Sequence, residues 1–254
     1  MRVRTVGDGT PELAVVACLH GDEPCGETAI ERMLAETPAF ERPVRFVVAN
    51  EEAIAANARY VDEDLNRAFP GDPNGATHES RLAAALLSEL RDCAVLDFHS
   101  TRSHPDPFAL VSRLNDRTKR LVRATDVGRV VDISYVAGGL VDHVDGVAVE
   151  CGLRGTERAA RNAERVLRNA LGSMGALDAL SEEGTPELYR VFDAVMGRDY
   201  EFVGENFVRV EEGAVFARTV GEELRADRPF YPVLMSTDGY DEMVGFRAER
   251  VGKL

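Results

Sequence analysis

At 254 residues the chain is long enough for one sizeable core, or for a domain of usual size with a small appendix. An apolar fraction of 44% excludes a disordered chain, and a formal charge of −14 excludes a nucleic-acid binder, because phosphate binding needs clustered cations. Only Lys119 and Lys253 are lysines, so the cations are almost all arginine, a pattern that fits a GC-rich, salt-adapted source with an acidic, halophilic-type surface.

The first two thirds alternate strand-like and helix-like stretches. Residues 12–19 (ELAVVACL) form a β-branched apolar run that predicts a buried strand, and a helix follows from about Pro24, with GETAIERMLAE carrying the amphipathic pattern. PVRFVVAN (43–50) predicts the next strand and EEAIAANAR a short helix. THESRLAAALLSELRD (77–92) is a strong helix capped by Thr77, and CAVLDFHS (93–100) is another buried strand. PFALV (107–111), VVDISYV (130–136) and GVAVEC (146–151) read as strands, and residues 156–175 as a long helix. Strands separated by helices imply an α/β fold with a mainly parallel sheet covered on both faces and a ligand site beyond the strands' carboxyl ends. After residue 181 short apolar stretches are broken by glycines and acidic pairs. This gives two expected domains, residues 1–178 catalytic and residues 179–254 a smaller β-rich C-terminal unit.

No charged-then-apolar leader and no apolar run of roughly 18 to 20 residues occurs, so the chain reads as soluble and cytoplasmic, without a membrane partner. Cys18, Cys25, Cys93 and Cys151 sit singly, without CxxC spacing, and read as buried thiols.

Three predicted strands end in ionisable residues: His20, His99 and Glu150. Burying such groups is costly, so their gathering at one sheet edge asks for a purpose. His20, Glu23 and His99 supply two imidazoles and a carboxylate, the kind of set that catalytic zinc uses while keeping a fourth position for water. Each residue alone has a plainer reading: a histidine at a strand end is more often simply hydrogen-bonded, and Glu23 in a first helical turn favours the helix dipole. The segment NARYVDEDLNRAFPG (57–71) adds Arg59, Asn66 and Arg67, donors suited to an anionic substrate, in a stretch without clear periodicity.

HGDE, NARYVDEDLNRAFPG, DFHST and VEC, in that order, resemble the aspartoacylase and succinylglutamate desuccinylase family of the zinc carboxypeptidase group, and YPVLMSTDGYDEMVGFRA resembles that family's closing segment. The resemblance implies one Zn2+ held by His20, Glu23 and His99, with Glu150 as catalytic glutamate. It implies that Arg59 polarises the scissile carbonyl, that Asn66 and Arg67 grip the substrate's α-carboxylate, and that Tyr240 closes over the site, although an aromatic residue there can equally serve packing. An acidic residue, Asp64 or else Asp97, would orient a metal-binding histidine. The implied reaction is deacylation of a small N-acyl amino acid or amine, with Glu150 moving the proton. A carboxypeptidase acting on short peptides and a non-catalytic metal-binding homologue are the alternatives. Homo-oligomerisation is compatible with either.

One departure matters. Aspartoacylases that select an aspartate side chain carry an arginine shortly ahead of the catalytic glutamate. Here GGLVDHVDGVAVE offers only Asp142, His143 and Asp145, so a neutral or cationic group is the expected partner of that neighbourhood. His143, His78 and His104 read as exposed loop residues.

Overall fold

The computed structural model describes residues 1–179, 181–239 and 242–254. The strands of the first two thirds are β1 (Arg2–Val6), β2 (Leu13–Ala17), β3 (Val44–Val48), β4 (Ala94–Thr101), β5 (Phe108–Val111), β6 (Arg129–Asp132) and β7 (Asp145–Leu153). The helices are α1 (Cys25–Ala35), α2 (Glu51–Ala55), α3 (Leu65–Ala68), α4 (His78–Glu89), α5 (Asp116–Ala124) and α6 (Glu157–Ser173), with a 3-10 turn at Leu140–Asp142. The remaining strands are β8 (Glu187–Met196), β9 (Glu201–Phe202), β10 (Val215–Arg218), β11 (Glu223–Arg225), β12 (Tyr231–Val233) and β13 (Met243–Lys253).

Strand β2 shows why the sheet needs two covers. Leu13, Val15 and Ala17 pack with Ala29, Ile30 and Met33 of α1 and with Ala163 and Val166 of α6, whereas Ala14 and Val16 pack with Leu82, Ala83 and Leu86 of α4. The period of two sends alternate residues to opposite faces; β3 and β4 pair its two edges, and the helices on either side leave neither face to water. Helices α4 and α6 begin at Thr77 and Thr156, whose side chains accept from the amides of Ser80 and Ala159.

The sheet has ten strands in the order β1-β3-β2-β4-β7-β5-β6-β8-β13-β12. β2, β3, β4 and β7 are parallel to one another, while β5 runs antiparallel to β7. Residues 179–254 are β-rich as expected, but they do not all stand apart. β8 pairs parallel with β6, and β13 and β12 follow it, so the main sheet runs on past residue 178; β9, β10 and β11 form a separate small sheet. Tyr189 and Val191 of β8 bury against Phe108 and Val131, which explains the continuation: β6 would otherwise present an unpaired edge beside an apolar cluster. Residues 133–136 of the expected strand VVDISYV are a turn. All four cysteines are free and buried. No helix of the described residues is long and apolar enough to cross a membrane.

Candidate active site

The site lies at the carboxyl ends of β2, β4 and β7. His20 follows β2, and Glu23 sits in the turn into α1. Gly26 lets that helix start close to the sheet, since a Cβ there would stand 2.5 Å from the Phe98 Cβ and 2.9 Å from the Ala17 Cβ. Asp97 and His99 share one face of β4, and the strand register places His99 directly beside Glu150 of β7.

Glu23 is the hub. Its Oε1 lies 3.0 Å from His20 Nδ1 and accepts from Arg59 Nη1 at 2.9 Å; its Oε2 lies 3.1 Å from His99 Nδ1 and accepts from the Ser100 amide at 3.0 Å. On the far side of each ring stands a second carboxylate: Asp64 Oδ1 at 3.0 Å from His20 Nε2, and Asp97 Oδ2 at 2.8 Å from His99 Nε2. The sequence left Asp64 and Asp97 as competitors for one orienting position. The fold uses both, one per histidine.

Burial opposes charge on both imidazoles, yet the carboxylates outweigh it: Glu23 and Asp64 raise His20, and Asp97 with Glu23 holds His99 well above its ordinary value. Burial likewise disfavours the Glu23 carboxylate, but His20 and then His99 hold it well below the usual range. Each ring faces acceptors on both nitrogens, which calls for hydrogens on both. The ligand atoms of His20, Glu23 and His99 lie within 4.8 Å of one another. Exchanging the two Nδ1 protons for one divalent cation leaves the charge of this buried cluster unchanged while each Nε2 keeps its carboxylate, so the donor set fits such an ion.

Glu150 is 9% exposed, and its Oε2 is buried without a hydrogen-bond partner. Desolvation, then the Glu23 charge, pushes its carboxyl up to about 7 against the pull of His99, His20 and Arg59. Arg59 Nε and Nη2 also bind Asp64 Oδ2 at 3.2 and 3.0 Å. Asn66 and Arg67 lie on α3, capped by Asp64, and line the same cavity as the histidines and Glu150. Tyr240 falls outside the described residues. His143 is exposed as expected, whereas His78 opens α4 with its Nε2 3.2 Å from Asn50 Oδ1. His104 lies in a loop as expected but is not exposed: it is buried between Phe108 and Phe207, its Nε2 3.3 Å from Arg129 Nη1.

Sequence reasoning missed Glu79. This fully buried residue of α4 accepts from the amides of Val61, Asp62 and Glu63 at 2.7, 3.0 and 3.3 Å and from Asn50 Nδ2 at 3.0 Å. Those donors outweigh its desolvation and keep it ionised. It thereby ties down the loop that delivers Arg59, Asp64, Asn66 and Arg67. A signal existed, because residue 79 falls on the buried stripe with Leu82, Ala83 and Leu86, where a carboxylate needs partners. Glu79→Ala is expected to cost about 2–4 kcal/mol in urea unfolding, because it strips an acceptor from several partly buried donors at once.

Residues 9–138 match the succinylglutamate desuccinylase/aspartoacylase catalytic domain. No curated protein sequence matches the chain. Among solved structures, the fold is similar to a succinylglutamate desuccinylase/aspartoacylase from Rhodobacter sphaeroides (TM-score 0.80, 22% identity, covering 98% of this chain and 89% of that one). It is also similar to the product-bound ectoine utilization protein EutE (DoeB) from Ruegeria pomeroyi (TM-score 0.79, 24% identity, covering 98% and 88%) and to murine aminoacylase 3 (TM-score 0.70, 19% identity, covering 97% and 99%). With the domain match spanning β2 to the loop before the 3-10 turn, the chain belongs to the succinylglutamate desuccinylase/aspartoacylase family of deacylases.

Proposed function

We propose that the chain is a zinc-dependent amidohydrolase that removes the acyl group from a small N-acyl amino acid or related N-acyl amine. The observation that carries this reading is the convergence of His20, Glu23 and His99 beside a buried carboxyl group, Glu150, with an oxygen left unpartnered. His20, Glu23 and His99 would hold the zinc, which would supply a Lewis acid and a water made nucleophilic near neutral pH. Asp64 and Asp97 hold the two imidazoles in orientation. Glu150 takes a proton from the attacking water and returns it to the leaving amine, with a proton affinity close to that of neutral solution. Arg59 donates to the oxygen of the scissile carbonyl as negative charge builds there. Asn66 and Arg67 grip the substrate's carboxylate, which fixes the amide before Glu150. In this reading residues 179–254 cap the site, since Leu234, Ser236 and Phe246 line its cavity, and such a cap favours a small substrate over a peptide. Tyr240 belongs to the proposal through the family resemblance.

Because the active form of Glu150 is the carboxylate, kcat/KM is expected to fall as pH drops, with a one-proton acid limb. A cation bound beside it lowers its pKa, so the limb should centre below about 7 in a pH–rate profile. The reading itself is tested by incubating the zinc-loaded chain with N-acetyl and N-succinyl amino acids and following the free acid and amine by proton NMR. Release from at least one supports it; none across the panel contradicts it.

A further inference from the structure

The wall that the C-terminal residues add to the cavity hangs on one buried side chain. Asn206 is 3% exposed and lies between β9 and β10. Its Oδ1 accepts from the Met235 amide at 2.9 Å, while its Nδ2 donates to the Met235 carbonyl at 2.8 Å and to the Ser103 carbonyl at 2.9 Å. One N–H and two carbonyls are a set of partners that a carboxamide satisfies and that neither a carboxylate nor an ammonium does. Ser103 follows the end of β4, the strand of His99, with its amide on Thr101 Oγ1 at 3.1 Å. Asn206 therefore staples the segment around Met235 to the strand end that delivers His99.

The stapled segment faces the site. Met235 is fully buried with Phe216, Phe230 and Val244, whereas its two neighbours, Leu234 and Ser236, line the cavity together with His20, His99 and Glu150. The backbone there has little slack: the Ser236 amide donates to the Val244 carbonyl at 3.0 Å, and a Cβ on Gly245 would stand 2.5 Å from the Met235 Cα. Phe207, next to Asn206, and Leu234, next to Met235, take φ +66° and +53°, a left-handed conformation that bulky side chains rarely adopt and that surrounding contacts must hold. Phe207 is held by its amide on the Pro232 carbonyl at 2.9 Å and by edge-on packing against Phe108 and Tyr189 of the main sheet. Leu234 is held through Met235, whose amide and carbonyl both meet Asn206. Ser236 Oγ is buried without a hydrogen-bond partner among the described residues. A polar atom left so is costly unless a ligand completes it.

We propose that Ser236 is a substrate-contacting residue, its hydroxyl bonding a polar group of the bound acyl amino acid, and that Asn206 is the positioning residue that holds it there through the Met235 backbone. This inference rests on the amidohydrolase reading and adds to it one contact and the side chain that sets it.

The test is kcat/KM on the zinc-loaded chain, with the best substrate of the N-acyl amino acid panel, for the parent, Ser236→Ala, Asn206→Ala and the double variant. Ser236→Ala should lower it by about five- to tenfold, the loss of one hydrogen bond. Asn206→Ala should lower it at least as far, and in that background Ser236→Ala should change it by less than about twofold, because the hydroxyl is already out of place. A side chain that serves stability alone would leave the Ser236→Ala effect the same in both backgrounds. That result, or an effect of either single variant below about twofold, overturns the proposal. If the parent cleaves no acyl amino acid, the amidohydrolase reading fails by itself. Hydrogen exchange of the Met235 amide in the unaltered chain, followed by NMR, then decides the positioning, as it does if Asn206→Ala does not fold. Exchange within about tenfold of the β13 amides paired with β8 supports it, and faster exchange overturns it.

Discussion

Glu150→Gln is expected to keep its metal and its fold while kcat/KM for acyl release falls by about 10³- to 10⁴-fold. The amide has nearly the shape of the carboxyl group but cannot take a proton from water. Glu150 is not one of the groups that bind Glu23 or the outer nitrogens of the histidines, so its replacement leaves those contacts in place. Burial already disfavours its charged form, as its raised pKa records, so removing the charge should not lower thermal stability. Metal content by atomic emission, a melting curve and steady-state kinetics on one preparation check the three parts. A variant within tenfold of the parent would remove Glu150 from proton transfer.

The second large effect concerns the metal. Since both imidazoles are raised and face carboxylates on both nitrogens, the metal-free cluster holds two protons that a cation must displace. Zinc binding should therefore release close to two protons at neutral pH, and its affinity should fall by about 100-fold for each pH unit of acidification while both histidines stay protonated in the free protein. The sign follows from the raised values: below them the proton competes with the ion, and above them it does not. Titration calorimetry in buffers of different ionisation enthalpy counts the protons. Release of none would mean the ion binds elsewhere. In the metal-free chain the same pairs act oppositely on stability. Their contribution is present below the ordinary histidine value and is lost as pH rises through the raised ones.

Much of this was legible because periodicity and spacing report local geometry. The largely apolar runs ending in His20, His99 and Glu150 read as buried parallel strands, and parallel strands deliver their ends to one edge. Asp97 could have been placed by the same rule, since i and i+2 share a strand face. The sequence is silent where tertiary partners decide. Nothing in residues 187–196 tells a strand of a separate unit from one that pairs with β6, because both need the same alternating apolar residues. α5 escapes notice because its charged run offers only Leu121, Val122 and Ala124 as apolar residues; its one clear local sign is the capping box of Asn115 and Thr118. β1 is mostly exposed and carries a weak pattern.

In the proposed reaction, hydrolysis is the work of this one metal centre. It is tested most directly by stripping the chain with a chelator, adding zinc back stepwise, and following acyl release from the best substrate of the panel. Activity is expected to disappear with the metal and to return in proportion to zinc up to one ion per chain. Hydrolysis that survives complete removal of the metal, or one bound zinc per chain with no acyl release from any substrate, would contradict it.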